Sequence, residues 1–220
     1  KVVIFGRDQK TLDAAVETLG ENAIAVKGDV TSDVDLDNLF ATTKKRFGKV
    51  DVVFANAGVA EFLPLEALTD EHIDKVFDIN VKGVIKTVQR SLDTLNDNAS
   101  IVLTTSTESQ MGMAGGGSVY STSKAAVRSF ARTLSRDLLE RGIRVNAVSP
   151  GPTATPIFGR MGLPEEVAEG IEARAEEIAL CECWDTGQTL RFMSKAALRG
   201  AENFRYFADQ IVEGRDGKHM

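Results

Sequence analysis

The sequence predicts an α/β protein built on a parallel, doubly wound sheet. Short apolar runs rich in β-branched residues alternate with longer amphipathic stretches, as in VVIFG near the start and VDVVFA at Val50–Ala55. Residues 113–141 repeat their apolar side chains in steps of three and four, which is typical of one face of a long helix. Parallel strands need a crossover helix between them, so this alternation favours a sheet with helices on both faces.

Glycines and polar caps mark the ends of the predicted elements. Gly20 and Gly48 end the first two helices, and Ser32 or Asp33 caps the second. Each strand is short enough to be buried between helices. The predicted strands are residues 1–6, 23–27, 50–55, 100–106 and 143–148.

Composition limits the possible functions. A chain of 220 residues with 43% hydrophobic content supports one main core. A net charge of −6 argues against a surface for nucleic acid or anionic membrane. No apolar run approaches the ~18 residues of a membrane helix. The two cysteines, Cys181 and Cys183, have no histidine beside them. We therefore predict no disulfide framework, no metal site and a cytoplasmic location.

Tyr120 and Lys124 form a candidate catalytic pair in the first turns of the long helix. A four-residue step puts both side chains on one face. An unperturbed tyrosine titrates near pH ~10, but a neighbouring positive charge favours the phenolate and lowers its pKa. Tyr120 is then able to exchange a proton with a substrate oxygen. The same spacing also arises by chance on amphipathic helices, so other residues must support this interpretation.

The end of the first strand bears on the cofactor. Doubly wound folds bind ligands outside the carboxyl ends of their strands, and a carboxylate near the adenine ribose selects NAD. Here Gly6 is followed by Arg7, whose guanidinium suits a 2′-phosphate. We therefore predict NADP, with NAD as the alternative. Asp8 beside Arg7 leaves open a purely solvated arginine.

Asn80 lies inside an apolar stripe on a helix that Thr69 opens. A buried amide needs hydrogen-bond partners. Asn80 therefore either bonds to backbone and shapes the helix or holds a water molecule.

Several motifs occur in a fixed order. They are N-A-G at Asn56–Gly58, Asn80, Ser106, Tyr120-x-x-x-Lys124 and Pro150-Gly151. As a set, over about residues 1–172, they resemble the short-chain dehydrogenase/reductase family. The resemblance implies a Rossmann-like sheet and reversible hydride transfer between NADP and a small carbonyl or secondary-alcohol substrate. It also implies a homo-oligomer, either a dimer or a tetramer.

The resemblance gives each matched residue a role. Tyr120 would protonate the substrate oxygen, Lys124 would lower its pKa and bind ribose, and Ser106 would polarise the carbonyl. Asn80 would hold a water that relays protons to the lysine. Thr107 has the family's usual thirteen-residue step to Tyr120 and stays open as the alternative to Ser106. The implied cofactor contacts are Arg7, Asp29, Val30, Asn56, Ala57, Gly58, Tyr120, Lys124, Pro150, Gly151, Thr153 and Thr155.

Both ends depart from the family pattern. Family members begin with a strand and a T-G-x-x-x-G-x-G turn that holds the pyrophosphate, and this motif is absent from the sequence. We therefore expect a chain truncated at its N-terminus, starting one strand into the fold. Residues 173–220 instead resemble part of the cofactor domain of an aldehyde dehydrogenase, in ECWDTGQ and RGAENFRYFAD. We predict a helical tail of different origin, without that family's catalytic residues.

Two functions remain open from the sequence. The first is an NADP-dependent oxidoreductase with a small-molecule partner. The second is a catalytically impaired Rossmann scaffold or fusion fragment that acts as an assembly module, because a missing phosphate loop weakens cofactor binding. Neither function involves nucleic acid or a membrane.

Overall fold

Strands and helices alternate along the chain. A computed structural model describes residues 1–112 and 115–151. The strands are β1 (Val2–Gly6), β2 (Ala23–Lys27), β3 (Val50–Ala55), β4 (Leu95–Thr104) and β5 (Arg144–Val148). The helices are α1 (Gln9–Leu19), α2 (Asp33–Phe47), α3 (Asp70–Phe77), α4 (Val84–Ser91), α5 (Glu108–Met111) and α6 (Ser118–Asp137). The predicted α/β alternation is confirmed.

Every strand pairing in the described residues is parallel. β1 pairs with β2, and β3, β4 and β5 form a second sheet in that order. Each connection runs through at least one helix, as parallel pairing requires. The carboxyl ends of neighbouring strands therefore lie at the same edge of each sheet, where the polar residues of interest follow.

The predicted helix ends are confirmed for α1 and α2. Gly20 and Gly48 follow them with φ angles of 76° and 81°, in the left-handed region that glycine tolerates. Ser32, rather than Asp33, caps α2, because its hydroxyl accepts the backbone N–H of Asp35 at 3.3 Å.

The helix predicted after Thr69 is interrupted. α3 passes into a π-helical segment over Asp78–Gly83, and α4 follows it. Asn80 lies in that segment and is fully buried. A π segment contains an extra residue per turn and often occurs at functional sites.

The main core lies between the three-stranded sheet and the helices α4 and α6. Its fully buried members include Leu95, Ile101 and Leu103 of β4 and Val127 of α6. Burial of each such side chain stabilises the fold by about 1.5–3 kcal/mol. α6 therefore packs against β4, the strand that leads into the loop containing Ser106.

Several of the predictions concern residues that the structure does not describe. The boundary at residue 172, the helical tail at residues 173–220, Thr153 and Thr155 all lie outside the described residues. Among the helices that are described, none is both long enough and apolar enough to cross a membrane.

Candidate active site

Most of the predicted site residues follow the carboxyl ends of strands. Parallel pairing brings the carboxyl ends of neighbouring strands to one edge of each sheet, where ligands of such folds bind. Arg7 follows β1, Asp29 follows β2, Asn56–Gly58 follows β3, Ser106 follows β4, and Pro150 and Gly151 follow β5. Thr153 and Thr155 are the exceptions because the structure does not describe them.

Lys124 points into the protein below this edge. Its Nζ donates to the backbone oxygen of Thr104 at 3.0 Å and lies 5.9 Å from the centroid of the Tyr120 ring. The residue is only 4% exposed. Burial lowers the pKa of Lys124 from 10.5 to about 8, because the low-dielectric interior disfavours the ammonium. The amine therefore remains mainly protonated at neutral pH.

The pKa of Tyr120 is raised rather than lowered. Burial is the largest cause, because it disfavours the phenolate. A hydrogen bond with Ser106 acts in the opposite direction, and the nearby negative charge of Glu108 raises the pKa further. The predicted lowering of this pKa is wrong, because burial and the charge of Glu108 outweigh the hydrogen bond of Ser106.

Ser106 lies against Tyr120. The residue is 6% exposed, its side chain lowers the pKa of Tyr120 by hydrogen bonding, and its hydroxyl oxygen accepts the backbone N–H of Glu108 at 3.2 Å. β4 ends at Thr104, so Ser106 lies in the loop after the strand rather than at its last position. Thr107 is the residue before α5, and its backbone oxygen accepts N–H groups of that helix. Ser106 thus acts on the tyrosine, while the backbone of Thr107 starts α5.

Asn80 bonds to protein groups on both sides. Its oxygen accepts the N–H of Val59 at 2.8 Å, and its nitrogen donates to the carbonyl of Val59 at 2.9 Å. The same nitrogen donates to the hydroxyl of Ser123 at 3.0 Å. Asn80 therefore bonds to backbone, which is one of the two predicted possibilities. Its hydrogen bonds join the loop after β3 to helix α6.

Asn56, Ala57 and Gly58 form an exposed bend above Lys124. A Cβ atom added to Gly58 would lie 3.2 Å from both the Asn80 oxygen and the Lys124 Nζ. The hydroxyl of Thr104 donates to the Asn56 side-chain oxygen at 3.0 Å. The bend is thus fixed by contacts with Asn80, Lys124 and Thr104 on one side. Its other side is exposed, as a close approach of a ligand to the backbone requires.

Arg7 and Asp29 meet at the ends of β1 and β2. The Arg7 Nη1 lies 3.7 Å from the Asp29 Oδ2, and the arginine side chain is 68% exposed. Asp8 caps α1 by accepting the backbone N–H of Thr11 at 2.7 Å. Val30 packs on the π segment, where a Cβ at Gly83 would come within 2.8 Å of it.

Four site residues were not predicted from the sequence. Thr104 and Ser123 bind the side chains of Lys124 and Asn80, and the ring of Phe62 packs edge-on against Tyr120 with centroids 5.6 Å apart. Glu108 acts on Tyr120 by its charge. A signal existed only for Glu108, which stands two residues after Ser106 as an acidic residue among hydroxyl residues.

Within residues 1–112 and 115–151, no three His, Cys, Asp or Glu side chains are grouped as metal ligands. The described site itself contains two hydroxyls, a buried amine and a carboxylate. Together they are suited to binding an oxygen atom and exchanging a proton with it.

Comparison with known proteins identifies a consistent set of relatives. The family described as Enoyl-(Acyl carrier protein) reductase matches residues 1–201. Oxidoreductase asL5 of Sarocladium schorii is 42% identical over 186 residues, which cover 76% of this chain and 74% of that protein. A short chain dehydrogenase from Burkholderia cenocepacia in complex with NADP is 32% identical, with a TM-score of 0.70 over 79% of this chain and 71% of that one. A 3-ketoacyl-(acyl-carrier-protein) reductase from Brucella melitensis complexed with NADH is 27% identical, with a TM-score of 0.70 over 74% of this chain and 69% of that one.

Proposed function

Because the chain belongs to the short-chain dehydrogenase/reductase family of oxidoreductases, we propose that it is an NADP-dependent carbonyl reductase that also oxidises the corresponding secondary alcohol. The observation that carries this proposal is that Ser106 and Lys124 both lie beside Tyr120: the Ser106 side chain lowers the pKa of the phenol, and the Lys124 amine lies 5.9 Å from the centroid of the tyrosine ring. Two neighbouring hydroxyl groups can each donate a hydrogen bond to one carbonyl oxygen.

The proposed chemistry begins with Ser106 and Tyr120 binding the carbonyl oxygen of the substrate. The raised pKa keeps the Tyr120 phenol protonated at neutral pH, which suits an acid that gives its proton from Oη to the reduced oxygen. Ser106 donates a hydrogen bond where negative charge develops.

The described residues fit a nicotinamide cofactor. The nicotinamide would supply the hydride in reduction and accept it in oxidation. Arg7 would bind a 2′-phosphate, Asp29 and Val30 would flank the adenine, and the open bend at Asn56–Gly58 allows close approach of a ligand to the backbone. Lys124 would bind ribose, and Pro150, Gly151, Thr153 and Thr155 would contact the nicotinamide end. NADP is our choice because of Arg7, whereas the solved relatives include one bound to NADP and one to NADH.

Asn80 acts in this proposal mainly as a positioning residue. Both of its N–H groups and one acceptor site of its oxygen are used by Val59 and Ser123. One further acceptor site on that oxygen remains for the relay water that the family resemblance implies.

The change Tyr120→Phe tests the proposal. NADPH consumption is measured with a panel of ketones, and the variant should lose about 10²–10⁴-fold of the activity, the usual contribution of a proton donor. Tyr206→Phe is the matched control, since Tyr206 is the other of the two tyrosines, and it should keep the activity. Unchanged circular dichroism would show that both variants fold.

Two results would contradict the proposal. Full turnover by Tyr120→Phe would exclude the tyrosine as proton donor. A wild-type chain that gives no fluorescence change with micromolar NADPH, and no turnover, would instead support the assembly module. A cytoplasmic location, a homo-oligomer and a helical tail of separate origin at residues 173–220 remain further parts of the proposal, of which light scattering tests the second.

A further inference from the structure

Glu108 starts helix α5 directly beside the proposed carbonyl site. Its backbone N–H donates to the Ser106 hydroxyl oxygen at 3.2 Å. The same side chain lowers the pKa of Tyr120. The residue is therefore tied by its own backbone to the oxygen that would hold the substrate, and its side chain begins within a few bonds of that point.

The Glu108 carboxylate has an unused oxygen. Its Oε2 is buried from solvent and has no hydrogen-bond partner among the described residues. Burial raises the pKa of this carboxyl group, because desolvation disfavours its charged form. A buried carboxylate oxygen without a donor is unfavourable, and such groups require an explanation in a native structure.

The same carboxylate acts on the tyrosine. Its negative charge raises the pKa of Tyr120, so the two groups lie within electrostatic range. The Lys124 ammonium also lies near the tyrosine, on its ring side, and remains mainly protonated below about pH 8. A substrate hydroxyl can donate to the unpartnered oxygen of Glu108, whereas the ammonium offers it no acceptor.

We propose that Glu108 accepts a hydrogen bond from a hydroxyl group next to the reacting carbonyl, so that the enzyme prefers α-hydroxy ketones to simple ketones. This inference rests on the proposed carbonyl reductase function and names its substrate class. Glu108 is a specificity-determining residue in this scheme: Ser106 and Tyr120 bind the carbonyl oxygen, while the neighbouring hydroxyl donates to Oε2.

A matched substrate pair tests the preference. α-Hydroxyacetophenone and acetophenone differ by one hydroxyl, and the ratio of their kcat/KM values isolates its contribution. Glu108→Ala should reduce the ratio about ten- to a hundredfold, since a hydrogen bond to a charged acceptor is lost. Glu108→Gln keeps the shape and a weaker acceptor, so its ratio should lie between those of the wild type and the alanine variant. Gln110→Ala, an exposed change on the same helix, controls for disturbance of α5 and should keep the wild-type ratio.

A second readout does not depend on turnover. In a Tyr206→Phe background Tyr120 is the only tyrosine, and its ionisation can be followed by tyrosinate absorbance. Adding Glu108→Gln should lower the pKa of Tyr120, because the neighbouring negative charge is removed. Adding Gln110→Ala instead should leave the pKa of Tyr120 unchanged.

The outcomes separate the two proposals. Equal wild-type kcat/KM values for both ketones, or a ratio that neither Glu108 variant changes, would overturn the substrate assignment and leave the carbonyl reductase intact. A tyrosine titration that Glu108→Gln does not move would also overturn it, because the carboxylate would then not face the site. Turnover of no ketone with either NADPH or NADH would overturn the proposed function itself.

Discussion

Replacing Lys124 with methionine should make the protein's stability less dependent on alkaline pH. Burial lowers the pKa of Lys124 from 10.5 to about 8. The folded state therefore disfavours the ammonium, and the difference between these values corresponds to about 3 kcal/mol. Methionine has a similar length and no charge, so it removes this titration.

The sign follows from proton binding. Between the two pKa values the unfolded chain holds the lysine proton and the folded chain releases it, so the wild type gains stability as pH rises. The destabilisation caused by the buried ammonium is fully present below the pKa of Lys124 in the folded protein. It disappears as the pH approaches the pKa of lysine in the unfolded chain. From about pH 7 to about pH 10 the wild type should gain about 2.5 kcal/mol relative to Lys124→Met.

Urea unfolding followed by circular dichroism at the two pH values measures this difference. Loss of the hydrogen bond to Thr104 affects the variant at both pH values and largely cancels in the comparison. Lys45→Met, at an exposed position of α2, is the control for the loss of a lysine side chain. A Lys124→Met protein that follows the wild type in parallel across this pH range would refute the argument that burial governs the lysine.

Two further predictions concern the cofactor end and the buried amide. Arg7→Ala should weaken NADPH binding about tenfold and leave NADH binding within about twofold, because only NADPH carries the 2′-phosphate; calorimetry measures both, and equal losses would contradict this role. Asn80→Ala should destabilise the fold by about 2–4 kcal/mol in urea unfolding, since both polar groups of Val59 lose their partner. Ser123→Ala removes only one hydrogen-bond partner of Asn80 and should destabilise the fold by about 1 kcal/mol. Equal effects of the two changes would contradict the role of Asn80 as the main support of Val59.

Local signals explain why the element order and several helix ends were predictable. Gly20 and Gly48 end their helices through their own backbone conformation, and Ser32 bonds a residue three positions away. Such features depend on neighbours in sequence. The start of α6 was harder to locate. It begins at Ser118 rather than near residue 113, because Gly115 and Gly116 adopt φ angles of 81° and 91° that a helix excludes.

Distant contacts explain what the sequence could not show. The break in the helix after Thr69 occurs where Asn80 binds Val59, which lies 21 residues earlier. Nothing in the apolar stripe around Asn80 encodes that partner. Periodicity therefore predicted one continuous helix where the fold has a π segment.

The pKa of Tyr120 shows the same limit in electrostatics. The four-residue step correctly puts Lys124 on the tyrosine's side of the helix. Sequence spacing does not report how deeply the phenol is buried, nor that Glu108 lies close enough to act on it. Since burial is the largest cause of the shift, its direction required the three-dimensional fold.

Thr104 has a consequence for how this site keeps its dimensions. It is the last residue of β4. Its carbonyl oxygen accepts a hydrogen bond from the Lys124 amine, and its hydroxyl donates one to the Asn56 side chain. The amine and the loop above it are therefore both fixed to the same residue of the sheet. Strand β4 thus sets the spacing between them, and substitutions in the surrounding loops should leave that distance unchanged.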